Sequence, residues 1–219
     1  MKNVKLPPDI QAILFDIDGT LIDSMPIWDE LGARYLRANG IEPETELGKI
    51  LFPMTIDEGV TYLKEHYHLE NSKDVIRAGL MQTVDDFYRY EVPAKDGAKA
   101  FLKQSASAGL PMVLTTIGEP AQEEAALTRL GLRGFFGKMY VCEEYHTTKK
   151  EPRIYQIAAR DLGVRPEHVL VAEDMLQAVR TAKNAGFRTL AVADDASRAD
   201  REELIRTADC FIDSFFELT

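Results

Sequence analysis

Cysteine is scarce in this sequence, and that scarcity excludes two classes of protein. Its 219 residues include two cysteines, Cys142 and Cys210, which are far apart in the chain and form no Cys-x-x-Cys pair. Two cysteines are too few for a disulfide-stapled scaffold, and without paired spacing they do not predict a zinc site. We interpret both as small apolar side chains of a folded core.

Long apolar runs are also missing. No stretch approaches the roughly 18 consecutive apolar residues that a membrane-spanning helix needs. Residues 1–8 lack the continuous apolar segment and the small-residue cleavage site of a secretory leader. We therefore expect a cytoplasmic protein without a membrane partner.

Basic residues are in deficit, which argues against a polyanionic partner. The chain has 26 lysines and arginines against 36 aspartates and glutamates, a formal net charge of -10. This is the wrong sign for following a nucleic-acid backbone, so we expect no nucleic-acid partner. An anionic substrate would have to be held by a few local cations or by a metal ion.

What is present is a globular composition with alternating strand and helix patterns. Apolar residues make up 45% of the chain and charged residues 28%, close to the average for folded proteins. The strand candidates are residues 12–15, 112–114, 138–141, 169–172, 189–192 and 209–212. The helix candidates between them are residues 96–108, 120–130, 154–162 and 175–185. This alternation predicts an α/β fold with a Rossmann-like, doubly wound, mostly parallel sheet.

One segment breaks the alternation. From about residue 24 to residue 92 the apolar spacing is helical throughout and favours no strand. The candidate helices are residues 27–38, 55–65 and 72–90. We therefore predict a small all-helical cap at residues 23–92, inserted into a catalytic core formed by residues 1–22 and 93–219.

Polar side chains follow several of the predicted core strands. Asp16 and Asp18 come directly after the first strand. The others are Thr115, Thr116, Lys149, Lys150, Glu173 and Asp174. Ligands bind at the carboxyl ends of the strands in open α/β sheets, so we expect these groups to converge at one sheet edge.

The same residues resemble the motifs of the haloacid dehalogenase superfamily. The resemblance covers the whole chain and is strongest to members with a small helical cap after the first strand, such as β-phosphoglucomutases and phosphoglycolate phosphatases. Its four motifs are matched by Asp16-Ile17-Asp18-Gly19-Thr20, by Thr115, by Lys149 ahead of Pro152-x-Ile154-Tyr155, and by Glu173-Asp174 with Ala182-x-x-Ala185-Gly186 downstream. The resemblance implies a Rossmann-like core with a cap, dependence on Mg²⁺, and phosphoryl transfer through an aspartyl-phosphate.

The resemblance also implies a role for each acidic residue. Asp16 is the expected nucleophile, because a carboxylate can attack phosphorus and divide hydrolysis into two easier steps. Asp18 is expected to protonate the leaving alcohol and then to deprotonate the attacking water. The expected Mg²⁺ ligands are Asp16, the main-chain carbonyl of Asp18, and Asp174, with Glu173 as an additional or alternative ligand.

Phosphate binding is expected from the hydroxyl and amino groups of the motifs. Lys149 and Thr115 are the expected partners of the phosphate, and Thr116 is a further candidate. Lys150 is the alternative to Lys149, because the two are adjacent. Arg153 stands at a predicted helix start where relatives commonly have aspartate, so it is a candidate for contact with an anion.

Three functions remain open at this point. The leading prediction is a Mg²⁺-dependent phosphatase that hydrolyses a small phosphorylated metabolite. The alternative is a sugar phosphomutase of the β-phosphoglucomutase type, although Trp28-Asp29-Glu30 and Phe52-Pro53-Met54 stand in the region of the early cap where such mutases place a histidine and basic residues. A catalytically silent binding module on the same fold would be expected to have lost a motif residue, and none is lost. The identity of the substrate and the oligomeric state are left open by the sequence.

Overall fold

The chain folds as two compact units. A computed structural model describes residues 4–7 and 9–218. One unit, here called the core unit, combines the chain up to Asp23 with the chain from Pro93 onward. The other, the helical unit, is Ser24–Val92. The core unit is therefore assembled from the two segments that flank an insertion.

A parallel sheet forms the centre of the core unit. Its strands are β1 (Ala12–Phe15), β2 (Met112–Thr116), β3 (Met139–Val141), β4 (Val169–Glu173), β5 (Arg188–Val192) and β6 (Cys210–Ile212). They lie in the order β3-β2-β1-β4-β5-β6, and each neighbouring pair is parallel. Every residue of β1, β2 and β4 is buried, as expected for apolar strands covered on both faces. The predicted doubly wound α/β fold is confirmed.

The helical unit consists of helices that pack on one another. They are α1 (Pro26–Ala38), α2 (Leu47–Leu51), α3 (Ile56–His66) and α4 (Lys73–Asp86). Helix α1 contacts α2 and α4, and α3 contacts α4. Helix α3 begins at Thr55, whose hydroxyl accepts the N–H of Glu58 while the Glu58 carboxylate accepts the N–H of Thr55. This reciprocal pair satisfies two donors that would otherwise be unpaired at the helix start.

Two features of the helical unit differ from the sequence prediction. The short helix α2 was not predicted, because its five residues are too few to show a helical apolar period. The predicted helix over residues 72–90 ends as an α-helix at Asp86, and Phe87–Glu91 continue it as a turn of π-helix. A single π-helical turn of five residues is too short to show an apolar period of its own, so the sequence does not reveal the change.

Amphipathic helices flank the sheet of the core unit. They are α5 (Ala98–Ser107), α6 (Pro120–Arg129), α7 (Arg153–Leu162), α8 (Leu176–Asn184) and α9 (Arg201–Thr207). Helix α7 buries Ile154 and Ala158 in a cluster that also contains Leu14 of β1 and Val171 of β4. It ends at Gly163, whose φ of 70° is readily adopted only without a side chain. Among the described residues, no helix has the length and apolar character required to cross a membrane.

The strand register brings the ends of β1, β2 and β4 to the same level. Phe15, the last residue of β1, pairs with Leu114 of β2 on one side and with Ala172 of β4 on the other. The next residues along these strands are Asp16, Thr115 and Glu173. Residues that are distant in sequence therefore begin a common site at the carboxyl edge of the sheet.

Candidate active site

The first acidic motif leaves β1 in a turn that approaches β4 closely. The N–H of Asp16 donates to the carbonyl oxygen of Ala172 at 3.0 Å and extends the ladder by one residue. Gly19 has a φ of 77°, and a β-carbon there would lie 2.6 Å from Oδ2 of Asp174. The buried Thr20 hydroxyl donates to Oδ1 of Asp174 at 3.3 Å. Glycine is thus required for this close approach, and Thr20 orders the loop.

Lys149 is buried between two carboxylates. Its Nζ forms an ion pair with Asp16 and lies 2.7 Å from Oε1 of Glu173, with 8% of the lysine side chain exposed. Burial on its own lowers the pKa of Lys149, but the charges of Asp16 and Glu173 outweigh it and raise that pKa above its ordinary value. Lys149 therefore carries its charge inside the site. The adjacent Lys150 is exposed, so the structure separates the two lysines.

Three carboxylates meet beside Lys149. Oxygen atoms of Asp16, Glu173 and Asp174, all buried, lie within 4.8 Å of one another. Burial, together with the charge of Asp16, raises the pKa of Asp174 well above its usual range, and burial also raises the pKa of Glu173 although Lys149 opposes it. Oε2 of Glu173 is buried and finds no hydrogen-bond partner within the described chain. A cluster of hard oxygen donors with excess negative charge fits a divalent cation such as Mg²⁺.

The two threonines of β2 have different surroundings. The Thr115 hydroxyl is fully buried, and its contact with the carbonyl oxygen of Phe15 is long, 3.5 Å. The Thr116 hydroxyl instead donates to the Glu123 carboxyl group and accepts the N–H of Gly118 at 2.8 Å. A hydroxyl has one hydrogen to donate. The donor of Thr116 is thus taken by Glu123, whereas Thr115 has only a weak competing partner.

Glu123 is an acidic residue of the site that no motif contains. It lies on α6, is 0% exposed, and one of its oxygens, Oε2, has no hydrogen-bond partner among the residues described. A β-carbon on Gly118 would overlap Oε1 of Glu123 and would lie 2.9 Å from Oδ2 of Asp18. Burial, with the nearby charge of Asp18, raises the pKa of Glu123 to about 9. Glu123 is therefore predominantly uncharged at neutral pH.

Further polar groups support or border the cluster. The Tyr155 hydroxyl donates to Oε1 of Glu173 at 2.9 Å. On the other side, Lys95 forms an ion pair of 2.8 Å with Asp194, whose side chain is 2% exposed. Arg153 is exposed at the first position of α7 and has no ion pair with any residue that the structure describes. The structure thus brings Asp16, Lys149, Glu173 and Asp174 together and leaves Arg153 at the surface.

A comparison with protein-family models assigns the chain. The model of haloacid dehalogenase-like hydrolases matches residues 10–186, which include every motif residue described above. The chain belongs to the haloacid dehalogenase-like hydrolases. The predicted resemblance is therefore confirmed.

Curated relatives of this hydrolase include several phosphatases. It is 29% identical over 197 residues to a glyceraldehyde 3-phosphate phosphatase of Methanopyrus kandleri, covering 84% of each chain. It is 27% identical over 222 residues to hexitol phosphatase B of Escherichia coli, covering 97% of this chain and 96% of the relative. Family membership and these relatives confirm the prediction of an enzyme of the phosphatase type.

Solved structures share the complete fold of this hydrolase. A protein from Thermotoga maritima described as a candidate β-phosphoglucomutase superimposes with a TM-score of 0.80 at 24% identity, covering 93% of this chain and 94% of the other. CbbY from Rhodobacter sphaeroides in complex with phosphate superimposes with a TM-score of 0.68 at 25% identity, covering 94% and 95%. The architecture of both units therefore recurs in known members of the family.

Sequence motifs assigned no role to Glu123, Tyr155 or the pair of Lys95 and Asp194, although Tyr155 stands in the third motif. A signal for Glu123 was present, because its spacing to Ala126 and Leu127 places a carboxyl group on the buried face of an amphipathic helix. The other residues carry no comparable signal. Tyr155 follows the apolar pattern of α7, and Lys95 is 99 residues from its partner.

Proposed function

We propose that this hydrolase is a Mg²⁺-dependent phosphatase that cleaves phosphorylated sugars or sugar alcohols through a covalent phosphate on Asp16. The observation that carries the proposal is the position of Lys149, a buried cation between Asp16 and Glu173 at the edge where three carboxylates meet. Such a lysine can form an ion pair with the phosphate while the Asp16 carboxylate remains free to attack phosphorus.

In the first proposed step, Asp16 replaces the alcohol on phosphorus. A carboxylate oxygen of Asp16 forms a bond to phosphorus as the bond from phosphorus to the alcohol oxygen breaks. Asp18 gives its proton to the leaving oxygen, so the alcohol departs neutral. Lys149 and the Thr115 hydroxyl hold the phosphate oxygens during the transfer. Thr116 is not included, because its hydrogen is already donated to Glu123.

In the second proposed step, water removes the phosphate from Asp16. Asp18, now ionised, takes a proton from the water as the water oxygen bonds to phosphorus and the bond to Asp16 breaks. Inorganic phosphate leaves, and both aspartates regain their starting protonation states. One residue can serve as acid and then as base because the leaving alcohol and the attacking water occupy the same side of phosphorus in turn.

The metal part of the proposal rests on the fit of the acidic cluster. Asp16, Asp174 and the main-chain carbonyl of Asp18 would hold Mg²⁺, and Glu173 would ligate it or orient Lys149. The bound cation would offset the repulsion between a phosphate dianion and the carboxylates. The raised pKa values of Glu173 and Asp174 support this part, because they express the cost of holding these negative charges together in a buried place.

The proposed substrate class comes from the relatives. Phosphatases of hexitol phosphates and of glyceraldehyde 3-phosphate are among them, so small polyhydroxylated phosphate esters are the first compounds to test. A net charge of -10 is consistent with a substrate drawn to local cations rather than to the whole surface. Nucleic acid and membranes are not part of the proposal.

The division of labour between the two units is also proposed. We assign catalysis to the core and substrate selection to a helical cap that begins at residue 23 and ends at residue 92. Trp28, 43% exposed, is the cap residue to test. Trp28→Ala is expected to change the ranking of sugar phosphates by KM while leaving hydrolysis of p-nitrophenyl phosphate within about threefold of wild type.

The test of the proposed function is phosphate release from a defined panel with and without Mg²⁺. The panel contains sorbitol 6-phosphate, glucose 6-phosphate, glyceraldehyde 3-phosphate, a nucleotide and β-glucose 1-phosphate, the last assayed for isomerisation as well. Metal-dependent release that Asp16→Asn abolishes is the expected result. Isomerisation without net release would replace the proposal by a phosphomutase. Tight ligand binding without turnover of any compound would replace it by a binding protein.

A further inference from the structure

Glu123 is linked to the loop beside Asp18 by a short chain of hydrogen bonds. The N–H of Gly118 donates to Oγ1 of Thr116 at 2.8 Å, and the Thr116 hydroxyl donates to Oε1 of Glu123. This series of hydrogen bonds begins on the loop after β2 and ends on α6, so it joins the end of the strand to the helix that follows. A change at Glu123 would therefore remove the partner of the Thr116 hydroxyl, which in turn accepts the N–H of Gly118.

Gly118 is also where Glu123 and Asp18 come together. The point that a β-carbon would occupy at Gly118 is overlapped by Oε1 of Glu123 and lies 2.9 Å from Oδ2 of Asp18. The side chain of Asp18 thus has Gly118 and Glu123 on one side. A larger residue at position 118, or an empty volume at position 123, would alter the space in which the Asp18 carboxyl group settles.

The burial of Glu123 is not explained by its contacts alone. It is 0% exposed, and the described residues offer no hydrogen-bond partner to Oε2. Leaving a buried polar atom unpaired costs free energy, and an apolar residue on this face of α6 would avoid that cost. A buried polar group that lacks a full set of partners calls for an explanation, and a role in catalysis is one. The polar atom is therefore retained for something other than packing.

We propose that Glu123 is a positioning residue for Asp18, acting with Thr116 to hold the Gly118 segment so that the Asp18 carboxyl group faces the leaving-group oxygen. The inference rests on the proposed function, in which Asp18 delivers a proton to that oxygen. Glu123 itself does not touch the substrate. In the first step, its effect falls on the transfer of the proton from Asp18 to the departing alcohol, which single-turnover release of the alcohol isolates from the later attack of water.

This role predicts a dependence on the leaving group that a general structural role does not. An alkoxide needs a proton as it leaves, whereas p-nitrophenolate leaves readily without one. A displaced Asp18 therefore slows hydrolysis of sorbitol 6-phosphate much more than formation of the phosphoenzyme from p-nitrophenyl phosphate. A variant that merely loosened the site would slow both substrates alike.

The experiment compares Glu123→Ala and Glu123→Gln with Asp18→Asn and with Glu124→Ala. Glu124 is the exposed neighbour of Glu123 on α6 and serves as the matched control. Single-turnover rates of alcohol or nitrophenol release are measured in saturating Mg²⁺ with sorbitol 6-phosphate and p-nitrophenyl phosphate, and steady-state assays give KM and kcat. Circular dichroism verifies that each variant is folded.

For Glu123→Ala we expect a loss of about 10- to 100-fold with sorbitol 6-phosphate, part of the 10²- to 10⁴-fold that general acid catalysis supplies. The loss should fall on kcat, with KM within about threefold, and p-nitrophenol release should fall by less than about threefold. Glu123→Gln keeps the acceptor for Thr116 and should restore most of the rate. Glu124→Ala should resemble wild type.

An equal loss with both substrates, or no loss with either, would overturn the role assigned to Glu123. The same holds if Glu123→Gln is as slow as Glu123→Ala. A different pattern would overturn the proposed function and this inference with it: a wild-type enzyme without metal-dependent turnover, or an Asp18→Asn variant whose single-turnover rate falls no more with sorbitol 6-phosphate than with p-nitrophenyl phosphate. The wild-type and Asp18→Asn measurements therefore separate the two failures.

Discussion

Replacing Lys149 by methionine tests the electrostatics of the site. Methionine keeps much of the length of the side chain and removes its charge. The lysine ammonium contacts Asp16 and lies 2.7 Å from Glu173, so the substitution leaves the acidic cluster without its internal cation. Because carboxylates that lose this cation must repel one another or take up protons, Lys149→Met should lower both stability and activity.

The size of the effect follows from the distances. Carboxylate oxygens of the cluster lie within 4.8 Å of one another. At that separation, two unit charges repel by roughly 3.5 kcal/mol if the effective dielectric constant is about 20. Removing one partner of a buried ion pair typically costs about 3–5 kcal/mol. Protonation of Glu173 and Asp174 relieves part of the repulsion, so we expect a loss of about 3 kcal/mol in the free energy of unfolding.

The assay is thermal unfolding of the metal-free protein, followed by kinetics in Mg²⁺. A loss of about 3 kcal/mol corresponds to a decrease in Tm of roughly 6–12 °C for a chain of this length. Saturating Mg²⁺ should reduce the difference in Tm between Lys149→Met and wild type, because the bound metal ion then shields the same carboxylates. The value of kcat/KM is expected to fall about 10²- to 10³-fold, as for the loss of one preorganised charge stabiliser.

Lys150→Met is the matched control, since it removes the same charge from the adjacent, exposed position. The control should keep its Tm within about 1 °C and its activity within about twofold of wild type, as expected for an exposed charge. If Lys149→Met has the same Tm and activity as Lys150→Met, the buried charge of Lys149 does not stabilise the acidic cluster, and the reasoning is refuted.

Three further outcomes are expected. Asp174→Asn should weaken Mg²⁺ binding, and an unchanged stabilisation by Mg²⁺ in a thermal titration would exclude Asp174 as a ligand. Thr115→Val should lower kcat/KM about 10- to 100-fold through the loss of one charge-assisted hydrogen bond to the phosphate, with little change in Tm. An unchanged kcat/KM would exclude Thr115 as a partner of the phosphate. Burial raises the pKa of Glu123 to about 9, so the stability that its protonated form contributes to the folded state is lost as the pH rises from 4.5 to 9. In metal-free protein, Tm should therefore fall less across this pH range in Glu123→Gln than in wild type. An equal fall of Tm in both proteins would contradict the raised pKa.

Local pattern was sufficient to predict the sheet of the core unit. Strands such as β1 and β4 are apolar on both faces, so their apolar runs are continuous and easily recognised. The order of strands in space is set by tertiary packing, and the sequence alone predicted only that the sheet is doubly wound. In the helical unit, α2 and the π-helical turn at Phe87–Glu91 escaped prediction because each spans only five residues, too few to show an apolar period of its own.

The candidate site divides in a similar way. Asp16, Lys149 and Asp174 could be named from the sequence because they follow strand ends and match family motifs, and the structure brings all three together. The choice between Lys149 and Lys150 required side-chain burial, which the sequence of a loop does not carry. Glu123 was missed because a single acidic residue in a helix is usually exposed, although its spacing to Ala126 and Leu127 places it on the buried face of α6.

The central claim is that Asp16 carries the phosphate during turnover, and chemical trapping tests it most directly. The enzyme is mixed with Mg²⁺ and sorbitol 6-phosphate, quenched within the first turnovers, and reduced with borohydride, which converts an aspartyl-phosphate to homoserine. Mass spectrometry of the peptide that contains residue 16 should then detect homoserine at that position, in amounts that depend on Mg²⁺ and vanish in Asp16→Asn. Turnover of the substrate with no modification at Asp16, or with the modification at another residue, would contradict the account.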